Sequence, residues 1–327
     1  MTWLFGFAIL AAVVLVVVHA SDERELVHLA RRAQPWWLLL ALALQAATYP
    51  FQSEVWQTVL RPAGARVGAA EMGRLTLARL AVDHTLPAAG LGGTVLAAKA
   101  LEQQHVSLPV IMAGVVIDTA SLFVTYAFGL AAALVIFIAR YEAPPVIVIG
   151  AIAFLVFALA LAIGSLGVAG HPAGPFAHRL ARLRPLGVGL RMIEQADRRL
   201  SHSPLLLARA SICQAAVVLL DVATMWALIA ALGTRAAPAG VFASFMMSTL
   251  LRLAGALPGG LGTFDAASVL TLRLMGVQLP VALSATLLFR GFAFWLPLAP
   301  GLWFARRYVV TTRRAGGASS GGTPSSR

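Results

Sequence analysis

Leu257-Pro258-Gly259-Gly260-Leu261-Gly262-Thr263 interrupts an otherwise apolar run, and Leu86-Pro87-Ala88-Ala89-Gly90-Leu91-Gly92-Gly93-Thr94 interrupts an earlier one in the same manner. Proline removes a backbone donor and glycine destabilises a helix interior, so clusters of this kind stop a helix instead of bending it. Each interrupted run, Ala69–Leu101 and Val241–Gly276, is therefore predicted to be two half-helices meeting at an unwound turn. Pro87 and Pro258 lie 171 residues apart, and so do Pro109 and Pro280, which open the spans that follow. The chain reads as an internal duplication, with copies at 69–139 and 240–304. Gly/Pro-interrupted hydrophobic segments at matching positions are the sequence mark of a transporter-type site.

The rest of the chain supports a membrane setting for these breaks. Of its 327 residues 59% are hydrophobic and 12% charged, about half the charged share of a soluble domain. Uninterrupted apolar runs occupy Trp3–Val18, Pro35–Trp56, Leu108–Ala139, Pro144–Val168, Pro204–Leu232 and Leu279–Phe304. A helix needs about 20 residues to cross a bilayer. Backbone groups in lipid must be satisfied within their own segment, and the period-2 alternation of a barrel strand is absent. The predicted fold is an all-α polytopic membrane protein with about six full transmembrane helices and two broken segments. It forms one transmembrane domain over 1–310, followed by a disordered, basic cytoplasmic tail over 311–327. Trp3–Val18 is read as a retained first helix, because Met1–Phe7 lacks the positive charge of a signal peptide. The one cysteine, Cys213, lies inside an apolar run and is read as a packing residue.

A net charge of +12 would ordinarily raise nucleic acid as a partner. Here Lys99 is the only lysine, and the arginines sit mostly between apolar runs, which is the pattern of membrane insertion. The loop Gly170–Ser203 carries Arg179, Arg182, Arg184, Arg191, Arg198 and Arg199, and the C-terminal segment carries Arg306, Arg307, Arg313 and Arg314. Both are predicted to be cytoplasmic, with the N-terminus on the same side of a bacterial-type inner membrane. The loops around Arg140 and Arg235 then face outside, as does Ser21–Gln34 despite Arg24, Arg31 and Arg32. For this topology to close, each broken segment must enter and leave on one side. The first is re-entrant from the cytoplasm and the second from outside. The three full spans between them invert the second copy relative to the first.

Charge inside a membrane segment costs about 2.5–3.5 kcal/mol on insertion scales, so each such residue asks for a reason. The candidates are Arg79, Asp83 and His84 before the first break, Asp118 after it, and Arg252, Asp265 and Arg290 around the second. A half-helix starting near Thr263, or near Thr94 in the first copy, would aim unpaired N–H groups at an anion. With Arg252 and Arg290 nearby, the Gly259-Gly260-Leu261-Gly262 tip is predicted to form a phosphate pocket. Arg290, eleven residues into its span, is expected to be an unpaired guanidinium holding that phosphate. The structural alternatives are ion pairing or snorkelling for Arg79, Asp83 and Arg252, and a helix-dipole role for Asp265. The glycines could also serve close helix packing alone. His-Glu-x-x-His, Gly-x-Ser-x-Gly, nucleotide-loop and metal-spaced patterns are absent, so neither catalysis nor a cofactor is expected.

The run Leu257 to Asp265, Gly276-Val277, Arg290-Gly291-Phe292-Ala293-Phe294-Trp295-Leu296-Pro297 and Gly301 resembles the transmembrane region of the lysylphosphatidylglycerol synthase family. That family includes stand-alone flippase-like membrane proteins. The likeness is fairly specific over Leu250–Gly301 and looser over the first copy. Most members carry Glu where Asp265 stands. An acidic-Arg pair is expected after the first break, where this chain has Asp118-Thr119. The resemblance implies lipid translocation. In bifunctional members this region flips an aminoacylated phospholipid made by a cytoplasmic synthase domain. Such a domain is not found here, and lysylphosphatidylglycerol synthesis is not expected of this chain. It is expected to be a non-catalytic transporter of a phospholipid or a lipid-linked sugar phosphate. The alternative is a non-catalytic membrane partner of a separately encoded glycosyltransferase or lipid-modifying enzyme. A membrane-embedded transferase comes third, for want of a base or nucleophile.

Overall fold

The computed structural model describes residues 34–85, 91–140, 145–169, 194–254 and 262–319, and every regular element among them is helical. The predicted span Trp3–Val18, the break residues Pro87, Pro258, Gly259 and Gly260, and most of the basic loop Gly170–Ser203 lie outside the described residues.

Four stretches are long and apolar enough to cross a membrane: Leu108–Ala139, Val148–Val168, Pro204–Ala231 and Leu279–Tyr308. They belong to helices α4 (Leu108–Arg140), α5 (Pro145–Val168), α6 (Pro204–Ala231) and the pair α9 (Leu279–Arg290) and α10 (Leu296–Ser319). The chain is thus a multi-pass, all-α membrane protein. Helix α1 (Pro35–Leu60) has 26 residues, enough for a crossing, but carries Gln45, Tyr49, Gln52, Glu54 and Gln57 and is less apolar than those four. Prolines open α1 and α6 where a missing N–H costs nothing, and the Ser203 hydroxyl caps α6 by accepting the Leu206 N–H.

Both interrupted runs are pairs of short helices. The first pair is α2 (Ala69–Thr85) and α3 (Leu91–Glu102), of 17 and 12 residues. The second is α7 (Pro238–Ala254) and α8 (Thr263–Leu274), again of 17 and 12 residues. Helix α3 starts at Leu91, three residues ahead of the predicted Thr94, whereas α8 starts at Thr263. The members of each pair fold back on one another. In the first, the Gly93 N–H donates to the Asp83 carboxylate across the turn at 2.9 Å. A Cβ at Gly93 would stand 2.6 Å from the Arg79 carbonyl and from that carboxylate, so only glycine permits the approach. In the second, the Ser244 and Thr271 hydroxyls meet at 2.6 Å, and the Ser268 hydroxyl meets Thr286 of α9 at 2.9 Å. Small residues bring the backbones close enough for these bonds, the usual glue between helices in lipid.

Two apolar cores result. One gathers Ile111 to Ile117 of α4, Val55 to Leu60 of α1 and Leu206 and Ala210 of α6 around Met72, Leu75 and Ala97 to Leu101 of the first hairpin. The other gathers Tyr126 to Phe137 of α4, Ala41 of α1 and Val218 to Leu232 of α6 around α7, α8 and α9 of the second. Helices α1, α4 and α6 each run from one core to the other. Helix α1 is antiparallel to α6, since the Gln34 N–H reaches the Ala231 carbonyl and Gln45 reaches Asp221. The end of the second copy closes back on the first hairpin. Gly301 of α10 sits where a Cβ would meet the Leu77 carbonyl and the Ala81 methyl, and Tyr308 donates to Glu71 at 2.6 Å. Helix α10 runs to Ser319, through Arg313, Arg314 and Ala315, all good helix formers, and residues 320–327 lie outside the described ones.

Candidate functional site

Charged residues in the two copies form ion pairs built from different parts. In the second copy Arg290, the last residue of α9, gives its Nε–H to Asp265 Oδ1 at 2.7 Å. Asp265 Oδ2 accepts the Gly262 N–H at 2.9 Å, so one carboxylate both caps α8 and anchors the guanidinium. The arginine lies over the Phe264 ring, 4.9 Å from its centre. In the first copy the partners exchange elements. The carboxylate is on the long helix, at Asp118 of α4, and the guanidinium is on the half-helix, at Arg79 of α2, 2.6 Å away. Arg79 also faces Asp83 at 3.7 Å and the Trp56 ring at 5.3 Å. Asp118 accepts a further bond from the Gln214 amide of α6 at 3.0 Å.

Two expectations are corrected by this arrangement. Arg290 is paired instead of unpaired, because the first turn of α8 carries Asp265 back against α9. One N–H at each half-helix start is also taken, that of Gly262 by Asp265 and that of Gly93 by Asp83. A carboxylate suits the positive end of the helix dipole, and it occupies the place assigned to an anion.

Between the copies lies a cavity of about 130 Å³. One water needs about 10–15 Å³ by this measure, so the space holds several waters or one small polar group. Its wall takes Gln45, Tyr49 and Gln52 from α1, His84 from α2, Tyr126 from α4, and Gln214 and Asp221 from α6. The second copy supplies Arg252, Phe264, Phe289, Arg290 and Phe294. Arg252 donates from Nη2 to the Tyr126 hydroxyl at 3.0 Å. Its Nε, the Tyr49 hydroxyl, His84 Nδ1 and Gln45 Oε1 are buried with no hydrogen-bond partner in the structure. Buried polar groups are rarely left so, and all four belong to residues that line the cavity.

The geometry of α9 and α10 aims two of these walls. Pro297 and Pro300 have no N–H to give to the preceding turn, and Gly291–Trp295 relaxes into a π-helical turn in which the Leu296 N–H reaches the Gly291 carbonyl. Arg290 lies at the start of that turn. Phe294 within it stacks on His84, with ring centres 4.5 Å apart.

Of the residues singled out from sequence, Arg252 and Arg290 line the cavity and Asp265 stands behind Arg290. Gly262 and Thr263 form the start of α8, and Gly259 and Gly260 lie outside the described residues. Arg79, Asp83 and Asp118 form a separate cluster, joined to the cavity through Gln214, which touches both. Sequence reasoning passed over Asp221, which accepts a bond from Gln45 at 3.2 Å. The signal was present, a carboxylate well inside the apolar run Pro204–Leu232, but far in sequence from either break. Tyr49, Tyr126 and Gln214 had no such signal, since uncharged polar residues are common in membrane helices.

A search of curated proteins finds no match to the chain. The family described as lysylphosphatidylglycerol synthase TM region matches residues 3–301, nearly the whole length. On that match this chain belongs to the lysylphosphatidylglycerol synthase transmembrane-region family.

Proposed function

We propose that this chain is a non-catalytic flippase-like transporter that moves a phosphate-bearing lipid, either a phospholipid or a lipid-linked sugar phosphate, across the membrane. The observation that carries this reading is the cavity between the two copies, with the Arg252 side chain on its wall. A guanidinium suits a phosphate, to which it can give two parallel hydrogen bonds. The test is transport by the purified protein in vesicles of phosphatidylcholine with a trace of acyl-labelled fluorescent phospholipid. Label on the inner leaflet is expected to become accessible to dithionite far faster than in protein-free vesicles. Equal rates with acyl-labelled phospholipid and with a labelled lipid-linked sugar phosphate, both at the protein-free level, would overturn the proposal.

In this reading the two hairpins are re-entrant and opposed, so that the cavity opens to each side in turn. Their helices support it, because 17 and 12 residues amount to about 25 and 18 Å, short of the ~30 Å hydrocarbon core. The separation of the hairpins into different cores, at opposite ends of α1, α4 and α6, supports their inversion. A Cys213→Ala background with single cysteines at the exposed positions His202 or Ala237 tests the sidedness. An impermeant thiol reagent added to intact cells is expected to label Ala237→Cys and to spare His202→Cys. Equal labelling of the two would remove the inversion.

A further inference from the structure

One wall of the cavity carries the Arg252 guanidinium and another the Asp221 carboxyl group, and the two form no ion pair. The ion pairs among the described residues use Arg61, Arg74, Arg79 and Arg290, and neither Arg252 nor Asp221 belongs to one. Asp221 accepts one bond from the neutral Gln45 amide, and Arg252 donates one to the neutral Tyr126 hydroxyl. Burying two opposite charges without contact is costly unless something between them satisfies both. Water alone would hydrate each, but a separation held apart by α1, α6 and α7 suits a guest that carries both charges itself.

We infer that the cavity is a site for a zwitterionic headgroup, a phosphate joined by a short linker to a single primary ammonium, with the phosphate at Arg252 and the ammonium at Asp221. This rests on the transport reading for its biological role, although binding stands or falls separately. The count of charges sets the class. One carboxyl group outside any ion pair matches one ammonium, and one guanidinium outside any ion pair matches one phosphate. A headgroup with phosphate alone, such as phosphatidylglycerol, leaves Asp221 uncompensated. A headgroup with two ammonium groups brings a charge for which the described cavity offers no second acid. Gln45 and Tyr49 also line the cavity, and Gln45 touches Asp221 directly. A primary ammonium has three donors to give to the carboxylate, whereas a trimethylammonium has none.

The experiment is thermal stabilisation of the purified full-length chain in detergent by short-chain lipids of identical acyl groups. Phosphatidylethanolamine is expected to stabilise at a concentration at least about tenfold lower than phosphatidylglycerol or phosphatidylcholine, the effect of one hydrogen bond to a charged group. In Asp221→Asn this ratio is expected to fall to about one, because the amide no longer selects a cation. Soluble phosphoethanolamine forms a separate arm. Stabilisation by it at the same concentration as by the lipid would assign the site to a free metabolite and overturn a lipid headgroup as its guest. Equal stabilisation of the parent by all three lipids overturns the inference without any variant, and so does an undiminished ratio in Asp221→Asn. If the preference is found but vesicles show no transport, the headgroup assignment holds and the transport reading falls.

Discussion

Arg290→Ala is expected to cost about 3–5 kcal/mol of stability, the usual consequence of stranding one member of a buried ion pair. The stranded group is Asp265, which is 2% exposed and keeps the Gly262 N–H once the guanidinium is gone. In the low dielectric between α8 and α9 a lone carboxyl group must stay charged at high cost or take up a proton. Asp265→Asn in the Arg290→Ala background is expected to recover most of the loss. The amide oxygen still caps α8 at Gly262 and no charge remains to be buried. Arg290→Lys should fall between, since an ammonium keeps the charge but not the planar stacking over Phe264. Melting temperatures of the parent, both single variants and the double variant in one detergent measure this. A stable Arg290→Ala that has lost transport would show instead that Arg290 acts on the lipid, as its place in the sequence suggested.

Arg252→Ala should do the opposite, removing transport while leaving stability within about 0.5 kcal/mol of the parent, the range of changes that break no buried network. No carboxylate among the described residues forms an ion pair with it, so its deletion breaks none. It loses one bond to Tyr126, whose hydroxyl can turn to water in the cavity. If the phosphate sits at this guanidinium, loss of the charge-assisted bonds is expected to lower the transport rate by at least about tenfold. Arg252→Lys keeps a point charge without the fork and should retain part of the rate. Initial rates of dithionite accessibility for the three proteins, at matched protein-to-lipid ratio, decide it. Parental rates in Arg252→Ala would move the phosphate site elsewhere in the cavity or out of it.

The two variants separate what mid-span arginines in one protein do. Both face the same cavity, and from sequence Arg290 had the stronger claim to the lipid because of its depth. We propose the reverse order on pairing alone. Arg290 is paired with Asp265, whereas Arg252 belongs to no ion pair among the described residues. The first copy shows the same exchange. Asp118-Thr119 lacks the arginine that a strict repeat would place there, and Arg79 supplies it from the preceding half-helix.

What the residues determined unaided is local. Apolar runs of membrane length specified α4, α5, α6 and the α9–α10 span, because the hydrocarbon core demands both length and internal hydrogen bonding from each segment. The positions of both interruptions were legible for the same reason. Proline and glycine act on the helix that contains them, so Pro87 and Pro258 announced the hairpins without any knowledge of neighbours. Most helix ends were legible to within a few residues, the larger departure being Ser319 in place of Phe304 and a smaller one Leu91 in place of Thr94. The partners of the charges were not legible. Arg79 meets Asp118, and Gln45 meets Asp221 across 176 residues, through the antiparallel packing of α1 on α6. Helical periodicity states which residues share a face of one helix, and it is silent on which other helix that face will meet. The cavity, the capped half-helix starts and the separation of Asp221 from Arg252 are properties of that meeting, set only when α1 and α6 close with segments of both copies around one space.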